Sequence, residues 1–472
     1  MASSQTRTRV LAVLLALLLM LANAATALAY DSDHPEVLTD SDLVAASAIL
    51  IDGHTGRVLY QKDPDTVRYP ASTTKIMTLL LALENVDDLD ATITIPKEAN
   101  QYPEGSSLVG LYTGEEMTWR TLLNVFFICS GNDAGIAIAV LIAGSEEAFA
   151  DMMNERAQEI GCTNTHFTNP HGFHDPDHYT TARDLAMIAL EAMKNPEFRT
   201  IASTTNYTIP ANNKRSEATT KWTKNQFIAR NDPAMQYKYV YGTGIKTGYT
   251  SKAGQTFVGS ATRDGVDLIS VVLLSSTDGK WIDSIRLMEY GFATYKSYDP
   301  VALYNQSPLD VSVSDFASDD PSGGLVRLNI SSSYTDPICA TSEEIEAINS
   351  GFASMLSTNF TRELKAPVSE GEVMGTLTYT APSGDKYYFT MTAANSVAAA
   401  PATDLPSIDE LMQPDEAAGE TTTSPLIWIV PLAAVIGVML IMIAINNART
   451  RSRRRSASRR SYGSYDPYRR RK

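Results

Sequence analysis

Residues 70–75 have the sequence PASTTK, and they lead into a stretch whose apolar residues form one stripe at helical spacing: Ile76, Leu79, Leu80 and Leu83. A serine in the first turn of a helix and a lysine three residues later lie on the same face. Near a helix N-terminus and other cations a lysine loses basicity, and a neutral amine can then accept the proton of the serine. Ser72 and Lys75 are therefore a candidate nucleophile and base.

Two further short motifs give this pair a context. S-x-x-K also occurs at residues 383–386, in a predicted hairpin turn, and S-x-N occurs at both 130–132 and 357–359, so a single match carries little weight. K-T-G occurs once, at 246–248, where it is expected to open a strand. The ordered set of Ser72 to Lys75, Ser130 to Asn132 at a helix–helix junction, and then K-T-G is typical of penicillin-binding proteins and class A β-lactamases.

The surrounding pattern predicts an α+β fold, an antiparallel sheet covered by helices. Alternating apolar residues in 44–62 predict a β-hairpin, and further strands are expected at 256–261 and 268–274. Helices are predicted around residues 117–127, 133–142, 146–160 and 181–193. After residue 300 the helical signal fades, and short strands at 325–330, 373–379 and 387–391 indicate a smaller β-rich domain.

Both ends of the chain indicate a membrane protein. Arg7 and Arg9, an apolar run and an A-x-A site predict a signal peptide at 1–29, with a retained anchor helix as the alternative. Residues 426–445 carry no charge and are long enough for one transmembrane helix. The basic tail after it belongs in the cytoplasm by the positive-inside rule, which places the rest of the chain outside. The predicted domains are a catalytic domain at 30–299, a β-rich domain at 300–395, a flexible acidic stalk at 396–425, the span, and a tail at 446–472.

Composition narrows the function classes. The formal net charge is −15, and eleven basic residues are concentrated in 449–472, so the remaining chain is acidic and unsuited to binding nucleic acid.

Three cysteines are too few for a disulfide framework. Two alternatives stay open, a bond between Cys129 and Cys162 or buried thiols. One segment contains four histidines together with Asp175 and Asp177: His166, His171, His174 and His178. Their spacing is not typical of a metal site, and neither a metal nor a cofactor is predicted.

The chain resembles the serine-type D-alanyl-D-alanine carboxypeptidases, the low-molecular-mass penicillin-binding proteins of the peptidase S11 type. The resemblance is carried by several segments between residues 45 and 300, namely 48–56, 70–78, 105–108, 130–134, 181–186 and 244–254, and residues 364–376 are similar to the family's C-terminal β domain. It implies a β-lactamase/DD-peptidase-like catalytic domain. It also implies peptidoglycan stem peptides as substrates and β-lactams as covalent inhibitors.

The resemblance further implies a role for each matched residue. Ser72 would be the acylated nucleophile, Lys75 its base, and Ser130 the relay of a proton to the leaving D-alanine. The substrate would be held by Asn132, Lys246, Thr247 and Gly248, with the backbone N–H groups of Ser72 and Tyr249 as the oxyanion hole. Lys224 stands before Asn225 where the family often has a basic residue, but a solvated surface lysine is an equal alternative.

Three other functions stay open at this stage. A DD-endopeptidase that cuts cross-links would use the same residues. A class A β-lactamase would need a glutamate in E-x-x-L-N, a segment that the sequence lacks. A non-catalytic wall-binding or penicillin-sensing protein would be expected to lose Ser72 or Lys75, and both are present.

Overall fold

A computed structural model describes residues 31–228, 236–331 and 337–401. The predicted signal peptide, transmembrane span and basic tail lie outside these residues, as does most of the stalk. Within the described ranges, no helix is both long and apolar enough to cross a bilayer. The described residues up to Ala400 belong to one compact unit.

The elements alternate between sheet and helix. In chain order the strands are β1 (Ser47–Asp52), β2 (Val58–Lys62), β3 (Thr92–Thr94), β4 (Glu116–Thr118), β5 (Asn206–Ile209), β6 (Thr219–Trp222), β7 (Gly242–Thr250), β8 (Gly254–Arg263), β9 (Val266–Ser275), β10 (Tyr295–Tyr298), β11 (Asp310–Ser312), β12 (Leu325–Ser331), β13 (Ile338–Thr341), β14 (Leu356–Phe360), β15 (Val373–Thr380) and β16 (Lys386–Ala393). The helices are α1 (Lys75–Asn85), α2 (Trp119–Cys129), α3 (Asn132–Ala143), α4 (Glu146–Ile160), α5 (Ala182–Lys194), α6 (Pro196–Ser203), α7 (Gly279–Thr294), α8 (Pro300–Tyr304) and α9 (Ser342–Gly351).

The central sheet is antiparallel, with strands in the order β2-β1-β9-β8-β7. Successive side chains of β1 point to opposite faces, so Ile49 and Ile51 join a core that includes α1, α2 and α5, whereas Ala48 and Leu50 join a second core with α7. Every residue of β1 is buried because helices cover both faces. The predicted mixed fold and the β1-β2 hairpin are confirmed.

The predicted helices of the catalytic region are also confirmed, and local signals explain where they begin. Thr118, Ser145 and Thr181 precede α2, α4 and α5, and each side chain accepts a hydrogen bond from a backbone N–H of the first turn. One prediction is corrected in detail. Residues 71–74 form a 3₁₀ turn, and the α-helix begins only at Lys75.

Two further expectations need correction. K-T-G does not open its strand, because β7 begins at Gly242 and Lys246 is its fifth residue. Helical structure also continues beyond residue 300. Helix α9 begins with a capping box, in which Thr341 accepts from the N–H of Glu344 while the Glu344 side chain accepts from the N–H of Thr341.

The C-terminal strands form a second sheet in the order β11-β12-β16-β15-β14. Buried and exposed residues alternate along β12 and β16, so one face covers a hydrophobic core that contains Val326, Leu328 and Phe389. The short strands predicted in this region are confirmed. The boundary at residues 299 and 300 stays a prediction.

Polar contacts tie β13 and α9, which follow residue 300, to the β1-β2 hairpin of the first sheet. Arg57 Nη2 lies 2.6 Å from Glu344 Oε1 at the start of α9. The buried carboxylate of Asp52 accepts a hydrogen bond of 2.8 Å from the N–H of Cys339. β10 also pairs with β13, placing Tyr295 opposite Thr341.

Candidate active site

Ser72 lies in the 3₁₀ turn that leads into α1, directly below the edge strand β7. The residue before it, Ala71, has a left-handed backbone with φ of 51°. This conformation costs a non-glycine residue about 1–2 kcal/mol, so surrounding contacts must hold it. The carbonyl of Pro70 accepts hydrogen bonds from the hydroxyls of Thr73, at 2.7 Å, and Thr256, at 2.9 Å. Ser72, the candidate nucleophile, therefore lies in a turn that two hydroxyl groups anchor.

Lys75 is completely buried and its amine has three polar neighbours. Nζ lies 2.8 Å from Asn132 Oδ1, 2.6 Å from the carbonyl of His171 and 3.2 Å from Ser72 Oγ. Burial, and then the positive charge of Lys246, lower the pKa of Lys75 well below its ordinary value. A neutral amine has two N–H groups and one lone pair. Because the amide and carbonyl oxygens can only accept, they take the two N–H groups, and the lone pair faces the hydroxyl of Ser72.

Ser130 occupies the junction between α2 and α3. It closes α2 with a left-handed backbone, φ 57°, which turns its hydroxyl toward β7. There Ser130 Oγ accepts a hydrogen bond of 3.0 Å from Lys246 Nζ, which also donates to the carbonyl of Thr247 at 2.9 Å. The loop in front of the junction is held by the buried carboxylate of Asp133, which accepts from the N–H groups of residues 109, 110 and 111 at 2.8 to 3.1 Å.

Two lysines line a cleft beside Ser130. Lys246 is buried, and burial together with the charges of Lys224 and Lys280 lowers its pKa to about 7. Lys224 is exposed, and it lines a cleft with Ser130, Lys246 and Thr247 that we call the cationic cleft. Such a concentration of positive charge suits a carboxylate.

On the other side of Ser72 lies a separate cavity of about 250 Å³. Its lining includes Ser106, Asn132, His174 and Tyr249. The amide of Asn132 links this cavity to the buried amine, since Oδ1 accepts from Lys75 and Nδ2 donates to Ser106 Oγ at 3.0 Å. Ser72, the candidate nucleophile, thus lines a cavity with hydroxyl and aromatic groups, while Ser130 and Lys246 line the cationic cleft.

Gly248 allows β7 to pass close to the nucleophile. A Cβ atom at this position would lie 2.3 Å from Thr256 Oγ1 and 2.9 Å from the backbone nitrogen of Ser72. Within the described part of the chain, β7 is the last strand of its sheet, so its outer edge can pair with an extended peptide. Tyr249, beside this edge, is 63% exposed.

The structure therefore brings the predicted site residues into one region around Ser72: Lys75, Ser130, Asn132, Lys246, Thr247, Gly248, Tyr249 and Lys224. Lys224 lines the cationic cleft and is exposed, so its role in holding the substrate stays a prediction. Sequence reasoning missed Asp133, Thr256 and Lys280. Asp133 follows the S-x-N motif directly, whereas Lys280 is separated from K-T-G by more than thirty residues and has no local signal.

The histidine cluster does not converge on one point. His171 Nε2 contacts Glu146 at 3.2 Å, His178 Nε2 contacts Thr74 Oγ1 at 2.8 Å, and the ring of His174 stacks edge-on against Tyr69. Across residues 31–228, 236–331 and 337–401, no group of three or more His, Cys, Asp or Glu side chains is placed to hold a metal ion. All three cysteines are free and buried, so the open possibility of a Cys129–Cys162 bond is wrong and the buried-thiol interpretation is confirmed.

Comparisons with known proteins agree with this geometry. The family model described as D-alanyl-D-alanine carboxypeptidase, peptidase S11, matches residues 34–277. The D-alanyl-D-alanine carboxypeptidase DacF of Bacillus subtilis is 32% identical over 336 residues, which cover 71% of this chain and 80% of the relative. A D-alanyl-D-alanine carboxypeptidase of Streptomyces is 35% identical over 267 residues, covering 54% of this chain and 90% of the relative.

Solved structures show the same fold. The crystal structure of a Streptomyces DD-transpeptidase is 33% identical and matches with a TM-score of 0.50, covering 54% of this chain and all of that one. The D-alanyl-D-alanine carboxypeptidase DacD of Francisella tularensis, at 24% identity, supports the fold over 77% of this chain and 95% of its own, with a TM-score of 0.52. The chain belongs to the peptidase S11 family of serine-type D-alanyl-D-alanine carboxypeptidases.

Proposed function

We propose that the protein removes the terminal D-alanine from peptidoglycan stem pentapeptides through an acyl-enzyme on Ser72. The observation that carries the proposal is the buried amine of Lys75, which lies 3.2 Å from Ser72 Oγ and whose pKa is lowered by burial. A neutral amine at this position can take the proton of the hydroxyl as the oxygen attacks the peptide carbonyl.

The two clefts suggest how the substrate lies. The carboxylate of the terminal D-alanine is attracted to Lys246 and Lys224, and Thr247 adds a hydroxyl donor. The stem peptide then extends along the edge of β7 into the cavity beside Tyr249. In this orientation the scissile carbonyl lies over Ser72, and the backbone N–H groups of Ser72 and Tyr249 stabilise the oxyanion.

Departure of D-alanine requires a proton on its nitrogen. Ser130 is suited to supply it, because its hydroxyl lies on the leaving-group side and contacts Lys246, which can replace the proton. Water then attacks the ester and frees Ser72. Each of these acid–base and oxyanion contributions is typically worth about a hundredfold in rate.

A test follows from the product. Purified protein is incubated with a peptide ending in D-Ala-D-Ala, and free D-alanine is measured beside a Ser72→Ala control. Release of one D-alanine for each peptide consumed, in the wild type but not in Ser72→Ala, supports the proposal. Release of monomers from cross-linked dimers without release from the pentapeptide would instead identify an endopeptidase, and binding of the peptide without any cleavage would identify a non-catalytic protein.

β-Lactams are expected to acylate the same serine. Mass spectrometry of the intact protein after exposure to penicillin should show one added penicilloyl group, absent in Ser72→Ala. A long-lived adduct supports a peptidase. Rapid hydrolysis of the adduct, with penicillin turnover at rates above D-alanine release, would indicate a β-lactamase.

Transpeptidation is a second candidate activity, because a structural neighbour is named a DD-transpeptidase. The two reactions share the acyl-enzyme and differ only in whether water or an amine attacks it. Adding glycine to the assay separates them. A peptide with glycine in place of the last D-alanine, formed faster than the hydrolysed product, would favour transfer.

We also propose that the protein is exported and anchored by one span at 426–445, with the catalytic region outside the cytoplasm and the basic tail inside. The support is the arrangement of a charge-free run directly before eleven basic residues. The basic tail would then also face anionic lipid. Protease added to intact cells should remove the catalytic region and leave a tag placed after residue 472 protected; degradation of the tag would contradict the orientation.

A further inference from the structure

The conformation of Ala71 depends on a neighbouring hydroxyl. Thr74 Oγ1 donates a hydrogen bond of 2.8 Å to the carbonyl oxygen of Ala71. Gly172 passes so close to the same oxygen that a Cβ atom there would lie 1.9 Å from it. The carbonyl is therefore held between one hydrogen bond and one glycine backbone.

The direction of that hydrogen bond is set by His178, which is buried. The N–H of Thr168 donates to His178 Nδ1 at 3.0 Å, so Nδ1 must be the unprotonated nitrogen of the ring. The ring proton then resides on Nε2, which lies 2.8 Å from Thr74 Oγ1 and donates to it. Because the oxygen of Thr74 accepts from the histidine, its own proton is left to point at Ala71.

These contacts form a chain of three hydrogen bonds that all run in one direction, from Thr168 through His178 and Thr74 to Ala71. The last acceptor in this series, the carbonyl of Ala71, determines the orientation of the Ser72 N–H. The carbonyl of Ala71 and the N–H of Ser72 belong to the same planar peptide group and point in opposite directions. Whatever fixes the carbonyl also fixes the N–H, and that nitrogen faces β7 at Gly248.

We propose that His178 is a positioning residue of the active site, which acts through Thr74 to hold the peptide group between Ala71 and Ser72 so that its N–H points into the oxyanion hole. The inference rests on the proposed acyl-enzyme mechanism, since it assigns a purpose to one of its donors. Neither ring nitrogen of His178 is free for a metal ion, because one accepts from Thr168 and the other donates to Thr74.

The test compares variants in the second-order rate of acylation by a chromogenic β-lactam. Thr74→Val removes the hydroxyl at nearly constant shape, and we expect acylation to slow by about tenfold to a hundredfold, less than the roughly hundredfold to thousandfold loss when an oxyanion donor is removed outright. Thr74→Ser keeps the hydroxyl and should stay within about threefold of the wild type. Wild-type rates in Thr74→Val with an unchanged melting temperature would overturn the proposal.

A rescue experiment separates positioning from loss of stability. Glycine adopts the left-handed conformation without strain. With glycine at residue 71, the turn therefore depends less on the relay, the series of hydrogen bonds from His178 through Thr74. Adding Ala71→Gly to Thr74→Val should restore most of the lost acylation rate. No recovery, with both proteins folded, would contradict the role of the Ala71 carbonyl.

A second pair of variants keeps the proposal testable if Thr74→Val does not fold. His178→Gln can place an N–H donor where Nε2 lies, whereas the shorter side chain in His178→Asn cannot. We expect Gln to retain at least fivefold more acylation activity than Asn, and equal rates would contradict the relay. His166, which contacts the carbonyl of Asp177 at the surface, provides the matched control, since His166→Gln should leave acylation unchanged. If the wild-type protein is not acylated at all, the proposed function fails rather than the relay.

Discussion

The two S-x-x-K segments of this chain have the same motif and opposite surroundings. At residues 72–75, the serine opens into a cleft and the lysine is fully buried against Asn132 and the carbonyl of His171. At residues 383–386, both side chains are exposed, Ser383 in the turn after β15 and Lys386 at the first position of β16, and Ser383 donates to Asp385 at 2.7 Å. The same spacing therefore leaves the amine in water in one copy, and the fold buries it in the other.

The S-x-N segments repeat this lesson. Ser130 and Asn132 lie at a buried helix junction and contact the amines of Lys246 and Lys75. Ser357 and Asn359 lie on the exposed strand β14, opposite two threonines of β15. Turns and strands satisfy the spacing equally well, so burial and the position of neighbouring cations distinguish the two copies.

The largest expected effect is the loss of the first serine. Ser72→Ala removes the atom that forms the acyl bond, and we expect D-alanine release to fall by roughly a millionfold, as for other serine peptidase nucleophiles. Ser383→Ala should leave the rate within twofold. A comparable loss in both variants, measured as kcat with a D-Ala-D-Ala peptide, would contradict the contrast between the segments.

Removal of the amines should be the next largest effect. Lys75→Met keeps much of the side-chain volume but deletes the base, and we expect acylation to slow by about a hundredfold to ten-thousandfold. Lys386→Met, at the exposed first position of β16, is the matched control and should be acylated at the normal rate. Stopped-flow measurement with a chromogenic β-lactam gives both rates; an active Lys75→Met protein would exclude Lys75 as the base.

The charge of Lys246 should set the pH at which Lys75 becomes a base. Protonated Lys75 cannot accept a proton, so acylation declines as the pH falls through the pKa of Lys75. Lys246 lowers that pKa, and Lys246→Gln should therefore raise it and move the acidic limb of the pH profile to higher pH. Lys246→Arg keeps the charge and should leave the limb near its original position. An acidic limb that does not move in Lys246→Gln would show that the two amines are not coupled.

The smallest expected effect concerns the exposed lysine of the cationic cleft. Lys224 is expected to attract the substrate carboxylate from the exposed rim of the cationic cleft, where a charge contributes only modestly to the free energy of binding. Lys224→Ala should raise KM by about threefold to tenfold with little change in kcat, and added salt should reduce the difference. An equal effect on a substrate whose terminal carboxylate is amidated would show that Lys224 does not bind this group.

Much of the fold was predictable because periodicity and caps agree. The hairpin of β1 and β2 and the helices α2 to α5 follow from apolar spacing, and threonine or serine caps mark the starts of α2, α4 and α5. Helix α7 was not predicted, because its buried face contains Asp283, Ser284 and Gly291, which interrupt the apolar stripe. Asp283 is buried there to accept the N–H groups of Val44 and Ala45, a contact across more than two hundred residues that no local pattern reveals.

The residues of the site also fall into a predicted and an unpredicted group. The three motifs and their order predicted which residues meet, and the structure brings them together around Ser72. What the motifs could not predict is the support around them, because residues such as Thr256, His178 and Lys280 reach the site only through the fold. The start of β7 was misplaced for a local reason, since Gly242 and Gly244 are typical of a turn rather than of a strand.

The most direct test of the central claim is the pKa of Lys75 itself. Protein labelled with carbon-13 at the ε-carbon of lysine can be titrated by NMR, and the Lys75 resonance can be assigned by its absence in Lys75→Met. We predict that this resonance titrates well below the ordinary lysine value, because burial disfavours the ammonium and Lys246 repels it. Titration of Lys75 at or above the ordinary lysine value would contradict a neutral amine as the base for Ser72.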